Sequence, residues 1–561
     1  MKFKYRNFLF FFIAATALPH LGSAQKFPDS LVKKIDSLFI KWDKKTSPGC
    51  TIGIVMNDQL VYSKGYGMAN LEYDIPNTPG TIYHMASVSK QFTAWSILLL
   101  AQQGKLSLED DVRKHLPWFP TLAKNKITIQ HLLNHTSGIR DQWQLLAISG
   151  TRLDDVITQD HVVKLLSMQK ALNFQPGEKY SYSNSGYTML AEIVKSVMGQ
   201  TLRKFSDSAI FKPLGMLNTH FHDDYTELVK NRSYSYGQAD SATFNNAVLS
   251  YSVAGATSLF TNIPDMSKWI MSFYKAVNYN LNVDSLAKKG RLNSGKEINY
   301  ANGISVGDYR GQRELAHSGG DAGYRTFLSV FPGLKMGFLV FSNFGEIDPG
   351  NLAHQLANFF IKDSSKNSTA KAPGKSKTSA ADVLGYKKFT GSYIGEEGLP
   401  FTIEVSENKL HYQIYSQRGE LVKEAGNKFL IADAPQISFS FSTSGKDTLL
   451  NIVTPDDELH LFKYVAMGKQ ADTSLSRFVG TYYSPELDCK YGIVFKDHGL
   501  LLTNSKYPDA KLTLLNNDHL TSENWWINHL KMLYDANKNV TGFEINSGRI
   551  MHLKFDRIKV E

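Results

Sequence analysis

The stretch that most restricts what this chain can become runs from Gln91 to Gln103. It holds neither proline nor glycine and is filled by Phe92, Ala94, Trp95, Ile97, Leu98, Leu99 and Leu100. Apolar residues leave no polar stripe for solvent, so the run predicts a helix sunk in a core rather than laid on a surface. Gly104 supplies the stop. Directly before it stands His84-Met85-Ala86-Ser87-Val88-Ser89-Lys90. Ser87 falls at the start of the helix, and Lys90 lies nearly one turn on, on the same face. A serine hydroxyl is a weak nucleophile until a base takes its proton, and a lysine amine with a lowered pKa can be that base. The helix N-terminus adds N–H groups and a positive dipole end that favour an oxyanion beside Ser87. The spacing alone decides nothing. It recurs at Ser30/Lys33, Ser167/Lys170, Ser272/Lys275, Ser285/Lys288, Ser368/Lys371 and Ser406/Lys409. The case for Ser87 rests on its apolar helix and on partners elsewhere.

A chain of 561 residues is too long for one core and predicts several domains. Lys2, Lys4 and Arg6, the apolar Phe8–Leu18 and the small Gly22-Ser23-Ala24 read as a signal peptide over residues 1–24, cut before Gln25. An apolar run of this length is too short to span a bilayer. The expectation is an exported protein, periplasmic or secreted, without stable membrane insertion. The net charge of +10 shrinks on inspection, because the leader carries three of those charges. Residues 362–385 hold five lysines against two aspartates. No dense basic cluster is interleaved with aromatics, so nucleic acid is not an expected partner. Cys50 and Cys489 lie far apart, and Cys50 sits in the apolar run Cys50–Val55, so Cys50 reads as a small core residue rather than half of a disulfide.

Leu31, Ile35, Leu38, Phe39 and Trp42 form an amphipathic helical stripe over residues 29–44. Thr51–Met56 and Leu60–Gly65, joined at Asn57-Asp58, read as a β-hairpin. A mostly helical middle extends to about residue 275. Strand signals return at Gly303–Val306, Glu314–His317, Tyr324–Phe331 and Gly337–Ser342, followed by a closing helix over Asn351–Ile361. The pattern is α+β: an antiparallel sheet shared by the first and last strands, with a helical lobe between. Residues 362–384, rich in Ser, Thr, Lys and Ala and without an aromatic, read as a linker. Beyond the linker the chain is all-β and repeats: Phe389-Thr-Gly391-Ser-Tyr393 matches Phe478-Val-Gly480-Thr-Tyr482. The predicted domains are this α+β domain over 25–361 and two barrel-like modules over 385–468 and 469–561. One larger barrel is the alternative.

Two further motifs follow Ser87-x-x-Lys90 in order: Tyr182-x-Asn184, inside Pro176-Gly-x-x-Tyr-x-Tyr-Ser-Asn-x-Gly-Tyr187, and His317-Ser318-Gly319. Neither is specific alone, since Tyr300-x-Asn302 also occurs. Together with His131-Leu-Leu-x-His135-Thr-Ser-Gly138 and Gly255-Ala-Thr-Ser-Leu-x-Thr261, the set resembles the serine β-lactamase-related superfamily. That group holds class C β-lactamases, low-molecular-weight penicillin-binding proteins, D-aminopeptidases and related esterases. The resemblance covers roughly residues 30–362 and implies a β-lactamase/transpeptidase-like fold. One departure matters: the third motif begins with His317 where β-lactamases and most penicillin-binding proteins carry lysine. The His form is similar to the D-aminopeptidases and esterases. It removes a fixed positive charge that would pair with a substrate carboxylate. The trailing β modules resemble the accessory barrels of D-aminopeptidase-like members.

The roles follow from chemistry. Ser87 attacks a carbonyl, and Lys90 and Tyr182 compete to be its base. Both titrate near about 10 unperturbed, so one must drop by roughly 2–3 units to act at neutral pH. Asn184 supports Lys90, and His317 orients Tyr182 or positions the deacylating water. Ser318, Gly319 and Gly320 lie along the substrate, with the N–H groups of Ser87 and Gly320 as oxyanion hole. His131 and His135 stand four apart, as zinc ligands can, but without an intervening Glu or a third ligand. His135-Thr-Ser-Gly138 is read as a helix end and turn on the rim of the site, and no metal or cofactor is expected. The expected activity is an exported serine hydrolase acting through an acyl-enzyme on a small ester or amide, with D-amino-acid-containing, cell-wall-derived peptides among the candidates. The alternatives are a β-lactamase or DD-peptidase, and a non-catalytic envelope-binding protein.

Overall fold

Asn57 and Asp58 both take left-handed backbone angles, φ 47° and 66°, and so close a two-residue turn between strands Cys50–Met56 and Gln59–Tyr66. This hairpin is one side of the main sheet in the computed structural model. The structure describes residues 27–559 apart from 241–242, 275–282, 365–384, 397, 399, 415–416, 433, 446, 455–458, 467–474 and 517. The expected leader and nearly all of the expected linker lie outside the described residues.

The sheet is six-stranded and antiparallel. Its order is Ser305–Tyr309, Gln312–Asp321, Tyr324–Phe331, Met336–Ser342, Cys50–Met56, Gln59–Tyr66. Cys50–Met56 pairs Cys50 with Ser342 and Met56 with Met336, so the first strand closes on the last, as the sequence predicts. Alternation splits its side chains: Ile52 and Ile54 join a cluster with helices Asp29–Phe39 and Pro349–Ala357, while Val55 faces the main core. Gly53 lets helix Ile263–Ser272 lie on the sheet, because a Cβ there would stand 2.6 Å from Ile263 Cγ2. The first helix ends at Phe39, earlier than its apolar stripe suggests; Trp42 is buried from the turn beyond it. Cys50 and Cys489 are both free.

Helix Lys90–Gln102 passes through the lobe with every residue from Lys90 to Leu100 buried. Of its polar residues, Thr93 donates to the Gly255 carbonyl, Ser96 donates to that of Phe92, and Gln91 Oε1 accepts from Trp269 Nε1. Helix Asn184–Met198 packs beside it and stops at Gly199, φ 65°. No helix among the described residues is long and apolar enough to cross a membrane.

The C-terminal region forms two closed eight-stranded barrels, over 391–465 and 480–558. The first has its own core of Tyr393, Ile403, Leu410, Phe429 and Phe439. The core of the second, including Tyr482, Ile493, Phe543 and Phe555, is continuous with that of the helical lobe.

Candidate active site

The serine of Ser87-x-x-Lys90 sits on a 3₁₀ turn, Ala86–Ser89, which runs straight into the buried helix. Ala86 has φ 48°, the left-handed region that costs a residue with a side chain about 1–3 kcal/mol. Neighbours on both sides hold the turn: Met85 N–H donates to the Leu259 carbonyl at 2.8 Å, and Thr326 Oγ1 donates to the Met85 carbonyl at 2.9 Å. Gly319 lies against the same turn. A Cβ there would come within 2.4 Å of the Met85 carbonyl, so Gly319 serves close approach of strand to turn. Ser318 and Gly320 flank it, exposed on the strand, and both line the cleft.

Lys90 is fully buried, and its Nζ has three neighbours: Ser87 Oγ at 3.0 Å, Asn184 Oδ1 at 2.8 Å and the Ala256 carbonyl at 2.7 Å. Burial lowers its pKa to about 7, the Arg549 guanidinium helps, and the carboxylates of Asp141 and Asp321 oppose. The geometry suits the neutral amine. The two carbonyl oxygens only accept, so they take its two N–H groups, and the lone pair is left for the Ser87 hydroxyl. Asn184 is held in turn by Asp141, whose Oδ2 accepts both its backbone and side-chain N–H at 2.8 Å. The other oxygen, Oδ1, caps helix Gln142–Ile148. Nothing in the chain spacing singles out Asp141.

Tyr182 hydrogen-bonds Ser87, and its phenol is pushed up, burial outweighing that bond and the Arg549 charge. Lys90 Nζ lies 4.9 Å from its ring centre. His135 is not on the rim. It is buried directly beneath Tyr182, ring centres 4.1 Å apart, and its Nδ1 accepts the Ser183 N–H. Its fellow His131 completes a helix cap with Thr128. His317 does not reach Tyr182 by a hydrogen bond as expected. Its Nδ1 meets the Ser318 carbonyl at 2.6 Å and so carries the proton, which leaves Nε2 to accept from the Tyr300 hydroxyl at 2.9 Å. Burial and the Lys90 charge lower its pKa to about 3, so the ring is neutral at pH 7. Tyr300, which resembles a chance repeat of Tyr-x-Asn in sequence, is the residue that fixes His317.

These groups open into a cleft of about 1800 Å³. Ser87, Tyr182, Asn184 and His317 line its floor, with Trp143 from helix Gln142–Ile148 and Val248 from the segment after strand Phe244–Asn246. Both barrels wall it: Pro400 and Gln413 from the first, Trp525, Gly548 and Arg549 from the second. Arg549 occupies the hairpin tip between Val540–Ser547 and Ile550–Ile558. Two lobe amides grip that tip. Gln144 donates to the Ser547 carbonyl and accepts from Arg549 N–H, while Asn173 donates to the Arg549 carbonyl and accepts from Met551 N–H. The Arg549 guanidinium lies 4.8 Å from the Tyr182 ring centre and 3.8 Å from Asp141. The second barrel thus brings a cation into the cleft, beside Tyr182 and Asp141.

The Beta-lactamase family profile matches residues 35–358, more than half of the chain, with Ser87, Lys90, Tyr182, Asn184 and His317 inside the match. The chain belongs to the beta-lactamase family. As a member it is similar to penicillin-binding protein 4* of Bacillus subtilis (strain 168), 26% identical over 440 residues, covering 76% of this chain and 96% of that one. It is also similar to a D-aminopeptidase of Gluconobacter oxydans (strain 621H), 26% identical over 223 residues, covering 40% of this chain and 41% of the relative. Among solved structures, the octameric penicillin-binding protein homologue from Pyrococcus abyssi superposes with a TM-score of 0.53 at 22% identity, covering 77% of this chain and 100% of that one. Membership of that family makes the protein a serine hydrolase.

Proposed function

We propose that the protein is an exported hydrolase in which Ser87 forms an acyl-enzyme with a small ester or amide, including peptides that contain a D-amino acid. The observation that carries this is the Lys90 amine, 3.0 Å from Ser87 Oγ with both its other contacts to acceptors. Of the two candidate bases, Lys90 is drawn towards neutrality and Tyr182 is kept protonated, so Lys90 takes the Ser87 proton. Ser87 Oγ bonds to the carbonyl carbon, and the oxyanion faces the N–H groups of Ser87 and Gly320. Tyr182 donates its proton to the departing alkoxide or amine and regains one from the Lys90 ammonium. Neutral Lys90 then takes a proton from a water that attacks the acyl carbon, the C–Oγ bond breaks, and the Lys90 ammonium returns the proton to Ser87 Oγ.

Arg549 favours substrates with a free carboxylate away from the reacting carbonyl. It also supports the second reading, a DD-peptidase or β-lactamase, because it replaces the charge that His317 lacks. A non-catalytic envelope-binding role fits poorly with a lysine buried at such cost beside a serine. Reaction with a fluorophosphonate probe tests the nucleophile. The wild type should be labelled on the peptide bearing Ser87, and Ser87→Ala should be blank while melting at the same temperature. Labelling that survives the substitution contradicts the assignment. Comparing kcat/KM for a p-nitrophenyl ester, a D-aminoacyl amide and nitrocefin separates the two readings. N-terminal sequencing of the mature protein from the periplasm or medium tests export, with Gln25 the expected first residue.

A further inference from the structure

Outside the cleft, one short segment gathers groups that the hydrolase chemistry does not use. His220-Phe221-His222 places two imidazoles two residues apart on an extended segment, which directs both to one side. Glu227 returns to the same place. The ligand atoms of His220, His222 and Glu227 lie within 4.8 Å of one another, and His222 Nδ1 is 3.6 Å from Glu227 Oε2. His222 is 2% exposed, yet its Nδ1 has no hydrogen-bond partner; neither has His220 Nε2. Two buried imidazole nitrogens left unpaired in one place are costly, and such orphans call for a ligand.

We propose that His220, His222 and Glu227 form a site for a zinc-class divalent cation. Two nitrogens and a carboxylate oxygen are the donor set that Zn²⁺ takes, with the fourth tetrahedral position left to water. Ligand atoms of a tetrahedral zinc stand about 3.3 Å apart, so side-chain rotations of an ångström or so close the site. Glu227 is engaged by Arg203, through Nη1 at 2.5 Å and Nη2 at 2.7 Å. Arg203 also bonds Asp223 at 3.1 Å, so that carboxylate holds the guanidinium when Glu227 turns to the metal.

The place of the site gives the metal a structural task. Strand His220–Phe221 pairs with Leu259–Thr261, and His222 N–H donates to the Ser258 carbonyl at 2.8 Å. Leu259 holds the nucleophile turn on its other side, through the Met85 N–H and through Ser89 Oγ. A cation here pins the 220–227 segment to the strand that supports Ser87, without touching substrate.

The test uses the full-length protein, stripped with a chelator and re-equilibrated with Zn²⁺ alone. The wild type should retain one equivalent more than His220→Asn or His222→Gln after gel filtration. Zn²⁺ at about a hundredfold above Kd should raise its Tm by about 5 °C and leave both variants unmoved. Fluorophosphonate labelling of stripped His220→Asn should match that of the stripped wild type, which separates this site from the hydrolase chemistry. Co²⁺ in the wild type should give the intense visible bands of a four-coordinate ion, a readout independent of how the variants fold. Equal zinc in wild type and both variants, or only the weak spectrum of hydrated Co²⁺, would overturn the proposal.

Discussion

In each C-terminal barrel a short 3₁₀ turn leads into the first strand, and a fully buried tyrosine ties the two together. Tyr393 donates to the Phe389 carbonyl at 2.8 Å, and Tyr482 donates to that of Phe478 at 2.6 Å. The repeated Phe-x-Gly-x-Tyr is thus an internal anchor, the same in both. Their outer faces differ. The first barrel meets the lobe through the ion pair Lys179–Glu396, whose side chains are 53% and 70% exposed. The second docks through Arg140, whose guanidinium is fully buried and bonds Glu486 Oε2 at 2.6 Å, the Met551 carbonyl at 2.9 Å and the His552 carbonyl at 2.7 Å. One barrel adds part of a cleft wall; the other shares the core and places a cation beside the candidate base. Duplication copies the barrel, while the residues on its docking face decide whether it joins the chemistry.

Substitutions can break that contrast. The largest effect on stability should come from Arg140→Met, which strands Glu486 in a buried contact. Loss of one partner of a buried pair costs about 3–5 kcal/mol, so chemical denaturation should show the lobe and second barrel losing cooperativity together. An unchanged denaturation midpoint would mean that the second barrel docks without Arg140. Next, Arg549→Ala, assayed at a pH above the acylation midpoint of both proteins, should lower kcat/KM for carboxylate-bearing substrates by about 10- to 100-fold, the worth of a hydrogen bond to a charged group, and spare neutral esters. Equal losses on both substrate types would show that Arg549 serves the fold rather than the carboxylate. The smallest effect belongs to Lys179→Ala in the first barrel's exposed pair, within about 1 kcal/mol and without change in turnover.

Much of the active site is legible along the chain because its parts are local. Ser87 and Lys90 are one helical turn apart, Tyr182 immediately precedes a second helix that Asn184 begins, and His317 sits on a strand whose alternation is plain. The sheet is legible for the same reason: Asn57-Asp58 and the period-two runs fix its hairpins. The partners of these residues are not. Asp141 reads as an ordinary helix cap, and only the fold brings Asn184 onto its second oxygen. Tyr300 looks like a motif repeat until a strand lays His317 against it. His135 belongs to a turn, and turns normally lie at the surface; here the turn folds under Tyr182. Arg549 is an exposed hairpin residue in a separate barrel, and no spacing rule links it to Tyr182. Its role depends on Gln144 and Asn173 meeting backbone groups far away in sequence.

The contrast between the barrels is tested most directly by the pH dependence of fluorophosphonate acylation in wild type, Arg549→Gln and Lys179→Gln. Lys90 reacts as the neutral amine, so the wild-type rate should rise with pH through a midpoint of about 7 and level off above it. Arg549 lowers that midpoint, because a nearby cation disfavours the ammonium; its removal should move the midpoint upward. Lys179→Gln, in the contact of the first barrel, should leave it in place. A wild-type midpoint near the ordinary lysine value, or one that Arg549→Gln fails to raise, would contradict a second barrel built into the chemistry of Ser87.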